Sequence, residues 1–145
     1  MSRLIYTAAK FGDRARLRPV RERLFAAGHV CVSTWLDETS RPSSMPLAVF
    51  NRKLAIKDFT EISAADLLIV DTLEPLQTIE ATSSGGGREV EVGYALGQFQ
   101  RKEVWRVGPP RNVFHYLVDR AFEDWDACLL ALTEDPDSLS LGIHD

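Results

Sequence analysis

Leu67-Leu68-Ile69-Val70-Asp71 is an unbroken apolar run closed by an acid. A short run with no polar residue on either face suits a strand covered on both sides, as at the centre of a parallel sheet. The flanks agree with that reading. Upstream, Pro46 opens a helix whose apolar positions are Leu47, Phe50, Leu54, Phe59 and Ile62. Downstream, a long loop closes in Ser83-Ser84-Gly85-Gly86-Gly87 and a third helix starts at about Arg88.

The alternation continues to both ends. Arg3 to Ala8 reads as a buried strand. Asp13 caps a helix whose face is Leu17, Val20, Leu24 and Ala27, with Gly28 ending it and Pro19 either kinking it or moving its start to about Arg18. His29 to Trp35 reads as a second strand, followed by a polar loop over 37–46. Val104 to Val107 is a strand stopped by Gly108-Pro109-Pro110, Val113 to Leu117 a helical turn, and Arg120 to Phe122 a weak fifth strand. A last helix, capped by Asp124, runs from Trp125 to about Thr133. The expected fold is α/β: a single-domain, open, mostly parallel five-stranded sheet with helices on both faces, a flavodoxin- or Rossmann-like three-layer sandwich. The domain spans 1–134 and a C-terminal tail 135–145.

The composition fits one domain with a real core: 145 residues, 45% hydrophobic and 26% charged. Seventeen Lys and Arg against 21 Asp and Glu leave a formal charge of -4, which argues against a protein that grips nucleic acid or an anionic membrane. No apolar run approaches the ~20 residues that span a bilayer. Met1 to Tyr6 reads as the approach to a strand rather than a signal peptide, so a cytoplasmic location is expected. Cys31 and Cys128 lie far apart without metal or redox spacing and read as free thiols. Neither His29 nor His144 has partners at ligand spacing, so no metal and no cofactor is expected.

In open parallel sheets ligands bind beyond the carboxyl ends of the strands. There the glycine-rich segment is the strongest local feature. Gly85, Gly86 and Gly87 running into a helix start let backbone N–H groups approach a phosphate or carboxylate, with Ser83, Ser84 and Arg88 as further donors. It is neither a Walker loop nor a dinucleotide fingerprint. Two acids follow. Taking Val92, Ala95, Leu96 and Phe99 as the core stripe, Glu89 falls roughly 70° to one side and Glu91 roughly 90° to the other, so periodicity does not choose between them. Val90, Tyr94 and Gly97 form a second apolar strip, which suggests an oligomer contact. Asp71 occupies the place of a receiver's phosphorylated aspartate, but Thr7-Ala8-Ala9-Lys10 lacks the acidic pair a receiver needs. Trp35 can stack a nucleobase, and Asn112 and His115 follow the Gly-Pro-Pro loop.

Several segments together resemble the nucleoside 2-deoxyribosyltransferase-like family over roughly Leu4 to Ala131: Leu-Ile-Tyr-Thr-Ala at the first strand, Ile62-Ser-Ala-Ala-Asp66-Leu-Leu-Ile-Val, Gly87-Arg-Glu-Val-Glu91-Val-Gly-Tyr-Ala-Leu-Gly, and Gly108-Pro-Pro-Arg-Asn-Val-Phe-His-Tyr-Leu. The resemblance implies cleavage or transfer at the N-glycosidic bond of a nucleoside, or hydrolysis of a nucleoside 5′-monophosphate as in a related branch. It makes Glu91 the nucleophile, Tyr6 the residue that orients it, and Asp66 an acid or structural support. It also implies a homodimer or higher homo-oligomer that completes the pocket with a neighbour's residue, Asn112 or His115 being candidates. The family commonly has an aspartate six residues before the nucleophile, and here that position is Gly85. The alternative is a nucleotide-binding module that kept the pocket and lost catalysis.

Overall fold

The computed structural model describes residues 2–74 and 86–134. Five strands, β1 (Leu4–Ala8), β2 (Val30–Cys31), β3 (Leu67–Asp71), β4 (Glu103–Val107) and β5 (Arg120–Phe122), form one sheet in the order β2-β1-β3-β4-β5. Every pair is parallel. Among the described residues four helices connect or flank them: α1 (Arg14–Ala26), α2 (Leu47–Ala64), α3 (Gly87–Leu96) and α4 (Trp125–Thr133). β3 is the buried centre, with all five residues shielded, as an apolar run of that kind requires. The chain runs outward from β1 to β2, then returns across β1 to reach β3, so the direction of winding reverses between β1 and β3. A ligand crevice opens at the carboxyl ends of strands at such a reversal.

The pleat distributes the side chains. Tyr6 and Leu68 are paired neighbours on the face covered by α2 and α3, while Thr7, Ile69 and Asp71 point to the α1 and α4 side. Asp71 is fully buried there, held by two bonds from Arg16 (2.8 and 3.1 Å), the Trp125 indole N–H (2.6 Å) and the Leu73 N–H (2.9 Å). Its acid therefore ties α1, β3 and α4 together.

Three expectations are corrected. β2 is two residues long, not seven, because side chains take over its ladder: Ser33 Oγ accepts from the Thr7 N–H at 2.6 Å and the Trp35 indole donates to the Thr7 carbonyl at 2.8 Å. The chain then turns in a 3-10 helix, Thr34–Asp37. α1 starts at Arg14 and carries Pro19 inside it, so the start is not displaced to Arg18; the residue's missing N–H leaves one helical bond unmade. Asp13 precedes α1 without capping it, since its carboxylate binds Arg16 instead. Among the described residues no helix is long and apolar enough to cross a membrane.

Candidate functional site

The sheet's reversal brings β1 beside the start of α3, and Tyr6 meets Glu91 there. The phenol donates to Glu91 Oε2 at 2.5 Å. α3 fixes this geometry by burying Val92 and Ala95 against the sheet, which turns Glu91 toward α2. On α2, Asp58 faces it. The two acids act on each other's charge, and Asp58 Oδ1 is buried without a hydrogen-bond partner among the described residues.

Electrostatics follow from that crowding. Burial pushes the Glu91 carboxyl up to about 8, with Asp58 and Glu38 adding to the rise and the Tyr6 hydrogen bond opposing it. Asp58 is pushed up to about 6, by burial first and then by Glu38, while Lys57 pulls it back. Tyr6 is raised well above the usual phenol range by burial and by the Glu91 charge, so it remains a donor. Glu38, from the 37–46 loop, is paired with Lys57 and largely covered. The pair behaves as one unit that keeps a single proton near neutral pH.

The opposite flank of α3 carries Glu89. Its Oε2 accepts from Asn112 Nδ2 (2.9 Å) and from His115 Nε2 (2.8 Å), and its Oε1 from Arg88 Nε (2.8 Å). His115 is fully buried, and its Nδ1 accepts the Arg111 N–H at 2.9 Å, which places the ring proton on Nε2. Burial works to raise the Glu89 carboxyl, but the bonds from Arg88, Asn112 and His115 outweigh it and hold the group below its ordinary value. The two acids that periodicity left undivided thus have different surroundings: Glu91 an acidic one, Glu89 a saturated one.

The other site candidates are placed as follows. Asp66 stands exposed just before β3 and accepts the Leu4 N–H at 2.9 Å. Through that bond it supports the first strand. Arg88 is turned inward, bound to Glu74 (2.7 Å), Glu89 and the Asp71 carbonyl (3.3 Å), and is committed inside the protein rather than presented to a ligand. Trp35 is buried, tilted against Phe11 at 6.3 Å, with its N–H already used by Thr7, so it packs rather than offering a stacking face. Asn112 caps the 3-10 turn Val113–Leu117 and reaches Glu89 of its own chain. Gly86 adopts a left-handed φ of 75° and Gly87 opens α3. Ser83, Ser84 and Gly85 lie outside the described residues.

Asp58 is the residue that the reading of motifs missed. A signal for it was present: Asp58 lies four residues from Leu54 and four from Ile62, so it interrupts α2's own apolar stripe with a charge. Among the described residues no group of three or more His, Cys, Asp or Glu side chains is arranged to hold a metal ion.

The fold is similar to that of a solved 2-deoxyribosyltransferase from the psychrotolerant bacterium Bacillus psychrosaccharolyticus, described as a biocatalyst for the synthesis of antiviral and antitumoral nucleosides. The TM-score is 0.65 over 88% of this chain and 91% of that one, at 20% sequence identity. No protein-family model and no curated protein matches the sequence.

Proposed function

We propose that the protein cleaves or transfers at the N-glycosidic bond of a nucleoside, with Glu91 as nucleophile. The observation that carries this reading is the Tyr6–Glu91–Asp58 cluster at the sheet's reversal: a carboxyl oriented through one oxygen, next to a second acid that is buried with an unpartnered oxygen. The fold shared with a deoxyribosyltransferase supports it.

The chemistry needs two functions from two acids. A Glu91 oxygen attacks the anomeric carbon, a C–O bond forms as the C–N bond breaks, and the base leaves with that electron pair. Asp58 supplies the proton the departing base requires, after taking it from Glu91, which holds it more firmly at rest and becomes the attacking anion on giving it up. A second base or water then attacks the same carbon, the bond to Glu91 breaks, and the acceptor's proton returns to Asp58. Tyr6 holds Oε2 throughout and leaves Oε1 to react. Asp58 thus does the work that the residue at position 85, a glycine, has no side chain to do. The commitment of Arg88 to Glu74 and Glu89 favours a substrate without a 5′-phosphate, because the start of α3 offers a paired cation flanked by carboxylates.

The test is chromatography of deoxynucleosides, ribonucleosides and their 5′-monophosphates incubated with the protein, with and without a second free base, beside a Glu91→Ala variant. The expected result is base release or exchange that falls more than about 10³-fold in the variant. Free nucleosides should exceed their monophosphates by at least about tenfold in kcat/KM, the worth of one lost charge-assisted contact. Tight binding without turnover of any compound would replace the enzyme by the nucleotide-binding module.

A further inference from the structure

Glu89 lies two residues from Glu91 and, among the described residues, shares no hydrogen-bond partner with it. Two positions on an α-helix are about 200° apart, so the acids face opposite flanks of α3. Yet Glu89 is held by three donors whose own positions are fixed. Asn112 is locked by accepting the Phe114 and His115 N–H groups at 2.9 and 3.2 Å. His115 is fully buried and locked by Arg111. Arg88 is anchored to Glu74, whose side chain is itself buried.

α3 needs such an anchor. It has ten residues, and Gly86 before it supplies no side-chain cap. Its inward residues, Val92 and Ala95, are small and give little resistance to rolling on the sheet. Tyr94 holds one flank by stacking on Phe59 of α2 at 3.9 Å and by sharing a 3.0 Å hydrogen bond with Ser63. Glu89 holds the other. Side-chain tips lie ~5–6 Å from a helix axis, so a roll of about 10° moves the Glu91 carboxylate by about 1 Å. A displacement of that size costs on the order of 10²-fold in rate.

We infer that Glu89, clamped by Arg88, Asn112 and His115, is a positioning residue that sets the rotation of α3 and so aims Glu91 at the anomeric carbon. The inference rests on the glycosidic reaction proposed above. It assigns the 113–117 turn a part in the reaction rate although none of its residues meets Glu91.

Glu89→Gln tests it, since in either orientation the amide NH2 meets a donor, Arg88 Nε on one side or Asn112 and His115 on the other. The expected result is a kcat lowered about 10- to 100-fold with KM changed less than about twofold. Adding Asn112→Asp restores an acceptor opposite the new amide while keeping the acceptor that caps the turn, and should return kcat to within about threefold of the parent. An unchanged kcat in Glu89→Gln overturns the inference, as does a fall that only tracks the folded fraction by circular dichroism or that the second change fails to restore. A parent protein without turnover defeats the proposed reaction instead. The aim of Glu91 is then read from crystal structures, in which the Glu91 carboxylate should be displaced by about 1 Å relative to Tyr6 in Glu89→Gln and return in the double variant. A carboxylate that stays in place overturns the inference on its own.

Discussion

A carboxyl that must attack as an anion and a carboxyl that must give a proton are poorly served by one environment. In the reaction proposed here, Tyr6, Asp58 and Glu91 meet this with one proton across two acids. Below about 6 both carboxyls are protonated and no nucleophile exists; above about 8 both are ionised and the leaving base finds no proton. The dependence of kcat/KM on pH is therefore expected to be a bell with limbs near those two values, measured with a nucleoside substrate over pH 4.5 to 10. Tyr6→Phe removes the bond that favours the Glu91 anion, so its alkaline limb should move upward. At this scale the sequence was half legible. The motif around Glu91 singled it out, while helical spacing gave Glu89 an equal place. What separates them lies 33 residues upstream of Glu91 in α2 and 26 residues downstream of Glu89 at His115, contacts that local pattern does not encode.

Among the elements, those that read most clearly were β3, an unbroken apolar run, and the body of α1, with its apolar spacing of three and four. The losses came where side chains replace backbone partners, as Ser33 and Trp35 do for β2, and where an acid interrupts an apolar stripe, as Asp58 does on α2. The stop after β4 has a steric reason that spacing alone does not reveal. Gly108 sits at a φ of +112°, and a Cβ there would lie 2.4 Å from Thr72 Oγ1 and 3.0 Å from the Thr72 carbonyl carbon. Gly28, with a φ of +93° after α1, faces open space. Gly108→Ala should thus cost about 2–4 kcal/mol, against about 1 kcal/mol for Gly28→Ala, where only the backbone preference is lost. Thermal unfolding of the two variants checks this; equal losses would remove the role given to the Thr72 contact.

Taken as a whole, the molecule keeps its apolar mass around β3 but leaves some of it uncovered. The strip of Val90, Tyr94 and Gly97 expected to face another subunit is partly used within the chain, because Tyr94 stacks on Phe59; Val90 remains exposed. A denser concentration lies on the 3-10 turn, where Val113, Phe114, Tyr116 and Leu117 are each more than half exposed while His115 points inward. Patches of this kind on a folded domain mark contact surfaces, and we propose that this one is covered by a second copy of the chain. Sedimentation velocity is expected to show a dimer or larger assembly, shifted toward monomer by Phe114→Ser with Tyr116→Ser. A parent that sediments as a monomer at micromolar concentration would leave the turn without that role.

The short β2 has a further consequence for how the chain behaves among its own kind. A sheet ending in a long bare strand offers a row of vacant donors and acceptors onto which a neighbour can zip, the first step toward aggregation. On this side the row is nearly absent: β2 contributes two residues, and beyond them the Thr7 N–H and carbonyl are occupied by the Ser33 hydroxyl and the Trp35 indole. The two side chains that cut the strand short also close the sheet's margin to an unwanted strand, leaving the helical and turn surfaces to decide which contacts between copies can form.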